Sequence, residues 1–220
     1  MYNSIDTVIW RRIKAKSISL CLCFDVPFNY TPKKAGGIVM DFGTVIAAVR
    51  TNEELELAVK SNVKVIFYLS PDLISVAKKV KKVHESGKKI FIHLDLAAGI
   101  GKDESGVKFC GAIGVDGIIS TRVNIIRLAR ENNIFSIMRF FAVDSKSIDT
   151  TAASIKASKP DMIEIMPGVL FKVIKSLSTR INTPIIAGGL IDSPEEVAMA
   201  IESGAAGVST GKSMLWALAK

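Results

Sequence analysis

From residue 45 onward the chain repeats one pattern eight times: a short apolar run, a turn of small residues, then a helix-forming segment. The apolar runs are VIAAVR (45–50), VKVIFYLS (63–70), KKIFIHLDL (88–96), DGIISTR (116–122), FSIMRFFAVD (135–144), DMIEIMPG (161–168), TPIIAGGL (183–190) and AGVSTGK (206–212). Between them lie TNEELELAVKS, PDLISVAKKVKKVHES, a short helix around 105–113, VNIIRLARENN, a helix near 146–157, VLFKVIKSLSTR and SPEEVAMAIES, with SMLWALAK as a short final helix. Strands that alternate with helices must pair in parallel through right-handed crossovers. Eight such units favour closure over an open sheet. The expected fold is α/β: a small TIM-like (β/α)8 barrel of parallel strands, one domain over residues 40–220. Mean hydropathy of +0.33 suits strands covered on both faces.

The stretch from Pro184 to Lys212 carries the clearest local chemistry. A strand ends in Gly188-Gly189, a helix opens at Asp192 or Ser193 with Pro194 next, and a second strand ends in Ser209-Thr210-Gly211. Glycines and hydroxyls at consecutive strand ends expose backbone N–H groups to an anion. In closed (β/α)8 barrels the loops after strands 7 and 8 frequently form a phosphate site. Gly188, Gly189, Ser209, Thr210 and Gly211 are therefore the candidate phosphate cradle.

Strand alternation sorts the remaining candidates. In KIFIHLDL, Phe91, His93 and Asp95 share the inward face. In DMIEIMPG, Met162, Glu164 and Met166 do so. Arg50 closes the first strand and Arg139 lies in the fifth. Burying such groups is costly unless they pair with one another or with a ligand. Two readings follow: a polar layer that satisfies itself, or a small pocket with arginines for an anion and carboxylates for hydroxyls. Lys102, in the loop after the third strand, reads either as a lysine that folds over a pocket or as a solvated one. His93, Asp95 and Glu164 lack metal-site spacing, so no metal is expected. No lysine lies mid-strand, which argues against a Schiff-base aldolase. Glu164 with His93 resembles a base–electrophile pair, so an enzyme on a triose or other sugar phosphate, with Glu164 or Asp95 as base, stays open as the alternative.

Net charge is +8, but residues 1–39 hold six basic and two acidic residues, so the rest carries +4. Lys78, Lys79, Lys81, Lys82, Lys88 and Lys89 form the densest basic run, with Arg122, Arg127 and Arg130 farther on. Such a run reads either as a solvated helix face or as a surface for RNA, without aromatic interleaving. The cysteines at 21, 23 and 110 show no paired or C-x-x-C framework, which points to a reducing, cytoplasmic setting. No apolar run approaches the roughly 20 residues of a membrane helix.

The motifs HLDL…GIGKDESGVKF, DGIISTR, KPDMIEIMPG, TPIIAGGLI and GVSTGKSMLW, in this order, resemble the bacterial glycerol uptake operon antiterminators, the glycerol-3-phosphate-responsive antiterminator family. The resemblance runs from about Met40 to the end. It implies a TIM-barrel-like regulator rather than an enzyme. Its effector is glycerol 3-phosphate, with no cofactor. It binds the leader mRNA of a glycerol-utilisation operon and no membrane, with a homodimer allowed. The phosphate then sits on Gly188, Gly189, Ser209, Thr210 and Gly211. The glycerol hydroxyls meet His93, Asp95 or Glu164, with Arg50, Lys102 and Arg139 as further anion contacts.

Residues 1–39 lack the strand–helix rhythm and fall outside the resemblance. Ala35-Gly36-Gly37 can be encoded by a purine-rich run a few bases before the Met40 codon, like a ribosome-binding site. Met40 is thus the expected native start, with 1–39 an upstream extension; the competing reading is a basic arm. Mass spectrometry of the native protein's N-terminus is expected to find Met40 first, and an intact Met1 peptide overturns this.

Overall fold

The computed structural model describes residues 40–142 and 145–219; the expectation for 1–39 lies outside them. Strands β1 (Val45–Val49), β2 (Val65–Tyr68), β3 (Lys89–His93), β4 (Gly117–Ser120), β5 (Phe135–Phe141), β6 (Met162–Met166), β7 (Ile185–Gly188) and β8 (Gly207–Thr210) follow the sequence pattern. Each pairs in parallel with its neighbour in sequence, and β8 returns to β1, closing the barrel. Helices α1 (Asn52–Lys60), α2 (Val76–Glu85), α3 (Glu104–Ala112), α4 (Val123–Glu131), α5 (Ser145–Ser158), α6 (Phe171–Ser178) and α7 (Pro194–Glu202) form the outer layer. Among the described residues no helix is long and apolar enough to cross a membrane.

Local chemistry sets the helix starts. Thr51 and Ser193 each accept the N–H of a Glu three residues on, while that Glu reaches back to the cap. These two capping boxes each satisfy N–H groups that the first helical turn leaves unpaired. Asp103 caps α3 through the Gly106 N–H. Contrary to the sequence expectation, the PDLIS segment does not open α2. Asp72 takes the N–H and hydroxyl of Ser75, and the chain from Pro71 to Leu73 pairs with Ala98 instead. Helix α2 therefore starts at Val76, and the loops after β2 and β3 are tied together.

The barrel has two apolar layers. Outward strand residues such as Val45, Ile66, Ile90, Ile118, Ile163 and Val208 are buried under the helices. Inside the amino-terminal half, Phe42, Phe67, Phe91 and Phe135 pack with ring centroids 5.2–5.7 Å apart. Offset and edge-on ring contacts at this spacing fill the tapering interior. Gly117 makes room for them, because a Cβ there meets the Phe91 ring at 2.1 Å and the Phe135 carbonyl at 2.9 Å. Cys110 is a buried free thiol, pushed by burial up to about 12. Gly117→Ala is expected to cost about 1–3 kcal/mol through overpacking, read as a lower urea midpoint at unchanged m-value. An unchanged midpoint contradicts the packing assigned to Phe91.

Candidate functional site

With aromatic rings filling the amino-terminal half, the polar side chains collect at the carboxyl ends of the strands. Arg139 on β5 and Glu164 on β6 are register partners and both point inward. Arg139 Nε donates to Glu164 Oε2 at 2.6 Å, with the two side chains 6% and 1% exposed. Ser209, on β8, donates its hydroxyl to the other oxygen, Glu164 Oε1, at 2.6 Å. That contact reaches across β7, and Gly188 is what lets it pass. A Cβ on Gly188 lies 2.5 Å from Glu164 Oε1 and 2.8 Å from Ser209 Oγ.

A second polar group sits beside the first. The sequence places Asp95 on the inward face of the third strand, but β3 ends at His93. Residues Leu94–Leu96 form a single 3-10 turn. The turn forms because Asp95 is drawn toward the end of β4. It accepts from Ser120 Oγ at 2.7 Å, Thr121 N at 2.7 Å and Thr121 Oγ1 at 2.8 Å. Burial pushes the Asp95 carboxyl up, but these hydrogen bonds, from Thr121 N first, hold it below the usual carboxylate value. Arg122 Nε stands 3.7 Å from Asp95 Oδ1. Ser120 and Thr121 were not singled out in the sequence. Their signal is the Ser-Thr pair closing DGIISTR.

His93 lies between the two groups. It is 3% exposed, and its Nδ1 is buried with no hydrogen-bond partner among the described residues. Burial, and then the Arg139 cation, push the imidazole down to about 4, against the pull of Asp95 and Glu164. At neutral pH it is an uncharged ring with a buried nitrogen free to accept or donate.

The cradle residues divide by role. Gly188 is the gap over Glu164, and Ser209 is a donor to it. Thr210 ties the loops: its hydroxyl donates to the Ile191 carbonyl at 2.9 Å and accepts from Lys212 N at 3.1 Å. Trp216 Nε1 donates to the Thr210 carbonyl at 2.9 Å, anchoring the 3-10 helix Ser213–Leu218. Gly189 turns at φ +75°, and Leu190 follows at φ +59°. The N–H groups of Gly189, Leu190 and Gly211 make no backbone hydrogen bond among the described residues. The cradle thus offers backbone N–H groups more than hydroxyls.

The supplementary cations differ. Arg50 is exposed at the rim, and its own N–H donates to Glu54. Lys102 is turned onto the Ala97 and Ile100 carbonyls, so it closes its own loop. The lysines of the basic run are mostly engaged. Lys79 donates to Tyr68 Oη at 2.5 Å. Lys82 pairs with Glu56, and Lys81 stands 3.9 Å from Glu85. Lys88 donates to the Ser61 and Val63 carbonyls, and Lys89 pairs with Asp116 at 2.8 Å. Lys78 is exposed and makes no ion pair among the described residues. Among the described residues no group of three or more His, Cys, Asp or Glu side chains is placed to hold a metal. A cavity of about 570 Å³ opens at the amino-terminal end of the barrel, away from this layer. Its charges are already matched, Lys64 with Asp41 at 2.5 Å and Lys89 with Asp116.

The His93 environment sets a pH dependence. Its folded value lies below the unfolded 6.5, so the unfolded chain binds more protons between about 6.5 and 4. Stability is therefore expected to fall as pH drops through that window, by about 2 kcal/mol between pH 7 and 5. His93→Gln should flatten the profile in denaturant titrations across that range. An equally steep profile in the variant contradicts the assignment.

A family model described as glycerol-3-phosphate responsive antiterminator matches residues 45–216. An uncharacterized protein of Escherichia coli K12, YgcP, is 38% identical over 177 residues, covering 80% of this chain and 93% of its own. The crystal structure of a glycerol uptake operon antiterminator regulatory protein from Listeria monocytogenes is similar at 32% identity. Its TM-score is 0.77, over 81% of this chain and 97% of that one. A glycerol uptake operon antiterminator-related protein from Thermotoga maritima gives 28% identity and a TM-score of 0.72, over 80% and 99%. An aldolase barrel at 11% identity and a TM-score of 0.63 shares the fold alone. The polar layer described above therefore sits in a barrel that belongs to the glycerol-3-phosphate responsive antiterminator family.

Proposed function

We propose that the protein senses glycerol 3-phosphate, binds the leader mRNA of a glycerol-utilisation operon, and so lets transcription pass a terminator. The observation that carries the sensing half is the buried His93 Nδ1, beside the Arg139–Glu164 pair and without a hydrogen-bond partner among the described residues. An orphaned polar atom at this depth costs about 1–3 kcal/mol, which a ligand hydroxyl recovers. The glycerol hydroxyls meet His93 and the carboxylate edges of Glu164 and Asp95. The phosphate meets the N–H groups of the Gly189 and Gly211 turns, with Arg50 at the rim. An mRNA partner places the protein in the cytoplasm.

Turnover fits the site less well than sensing. A base that removes a carbon-bound proton needs a carboxylate lone pair facing the substrate, and each hydrogen bond the carboxylate already accepts lowers its basicity. Glu164 has both oxygens engaged, by Arg139 and by Ser209, and Asp95 accepts three hydrogen bonds. These carboxylates are held as hydrogen-bonded struts. Ligand binding then closes the strand-end loops, chiefly 97–106, and favours the RNA-competent form to the extent that it binds that form more tightly.

Calorimetry with glycerol 3-phosphate, glycerol and inorganic phosphate tests the reading. Glycerol 3-phosphate is expected to bind, and to bind more tightly than either fragment. His93→Ala should weaken it about tenfold, the size of one lost buried hydrogen bond. The ligand should be recovered unaltered after long incubation. Conversion of the ligand, abolished by Glu164→Gln, overturns the regulator in favour of an enzyme.

A further inference from the structure

We infer that the RNA-binding surface is the stripe of unpaired cations at the carboxyl-terminal ends of α4, α5 and α6, and not the lysine run of α2. The inference rests on the antiterminator reading above and names the surface through which that reading acts. Five exposed cations make the stripe: Arg130 and Lys156 in the last turns of α4 and α5, Lys159 just after α5, Lys175 in the last turn of α6, and Arg180 beyond it. None of them makes an ion pair among the described residues. Five of the six lysines of the 78–89 run, by contrast, are held by a carboxylate, a phenol or backbone carbonyls.

Among the described residues the stripe keeps a net positive charge: exposed Glu202, brought near by the Ser178–Ser203 contact between the ends of α6 and α7, makes no ion pair with it. Glu131 stands by Arg127 at 3.7 Å. Between residues 132 and 191 the carboxylates with described side chains are Asp161 and Glu164. Asp161 accepts from the N–H and hydroxyl of Ser136 at 2.8 Å each, and Glu164 is inside the barrel. Cations in a last helical turn favour the helix dipole, which alone explains single residues of this kind. It does not explain Lys159, which sits in the left-handed region at φ +49°. That cap position favours glycine or asparagine. Here a lysine occupies it at a conformational cost, and its charge is exposed.

A net-positive row of cations without aromatic residues among them fits a phosphate backbone rather than splayed bases. Strand order places the three helices side by side, and α4 packs on α5. Strands β5 and β6, which carry Arg139 and Glu164, lead directly into α5 and α6. A ligand that redistributes the Arg139–Glu164 hydrogen bonds therefore acts on the two strands from which the stripe's helices continue.

The test is fluorescence anisotropy with a labelled transcript of the operon leader, at saturating glycerol 3-phosphate and several salt concentrations. Lys156→Gln/Lys175→Gln is compared with Lys78→Gln/Lys81→Gln, and calorimetry checks effector binding in each. The α5/α6 pair is expected to lose about tenfold in RNA affinity and to lower the salt slope by roughly 1.4–1.8, the share of two phosphate contacts. Effector affinity should stay unchanged, and the α2 pair should bind RNA like the wild type. RNA affinity that survives the α5/α6 substitutions, or falls only with the α2 pair, overturns the stripe while leaving the antiterminator reading intact. A wild-type protein that binds effector but no RNA overturns both. An altered oligomeric state with unchanged RNA affinity in the α5/α6 variant assigns the stripe to a second copy of the chain and overturns the inference.

Discussion

The carboxyl-terminal end of this barrel depends on one buried carboxylate. Glu164 links three strands, taking Arg139 from β5 on one oxygen and Ser209 from β8 on the other. Removing one member of such a buried pair typically costs about 3–5 kcal/mol, because the other charge is left uncompensated. The neighbouring sequence follows from this link. Gly188 is glycine because any side chain on β7 collides with the Glu164–Ser209 contact. The Gly-Gly turn that reads as a phosphate motif is thus also a packing requirement, and the N–H groups of Gly189 and Gly211 make no backbone hydrogen bond among the described residues.

The same link bears on what chemistry the layer can offer a ligand. Barrels that enolise or decarboxylate need acid and base groups left reactive toward substrate. Here the carboxylates are hydrogen-bonded to the protein, and the one histidine in the layer is uncharged at neutral pH. To a ligand the layer offers a buried imidazole nitrogen, polar edges and backbone N–H groups. This set is consistent with the proposed sensing role, in which the ligand is kept intact.

The strand–helix order was fully legible, because eight apolar runs separated by capped helices allow little but a closed parallel sheet. The inward placement of His93, Arg139 and Glu164 followed from strand parity. Asp95 did not. Leu94-Asp95-Leu96 keeps the alternation of a strand, while hydrogen bonds from residues 25 and 26 positions away pull the backbone into a 3-10 turn. The engagement of the lysine run was hidden for the same reason. Its partners Glu56 and Asp116, and the carbonyls of residues 61 and 63, are remote in sequence and become neighbours only when the barrel closes. The roles of Ser209 and Thr210 were likewise hidden. A hydroxyl at a strand end is equally suited to a phosphate and to a carboxylate across the barrel, and only the fold tells them apart.

The central claim is that glycerol 3-phosphate engages the unpartnered nitrogen of His93 within this layer. The most direct measurement is the ¹⁵N resonance of the His93 ring, followed by NMR as glycerol 3-phosphate is added at neutral pH and identified through His93→Gln. The account predicts a neutral imidazole in the free protein, with Nδ1 shifting in a saturable manner as the ligand binds. A ligand that binds while both His93 nitrogens stay unmoved, or a ring already charged in the free protein, would contradict it.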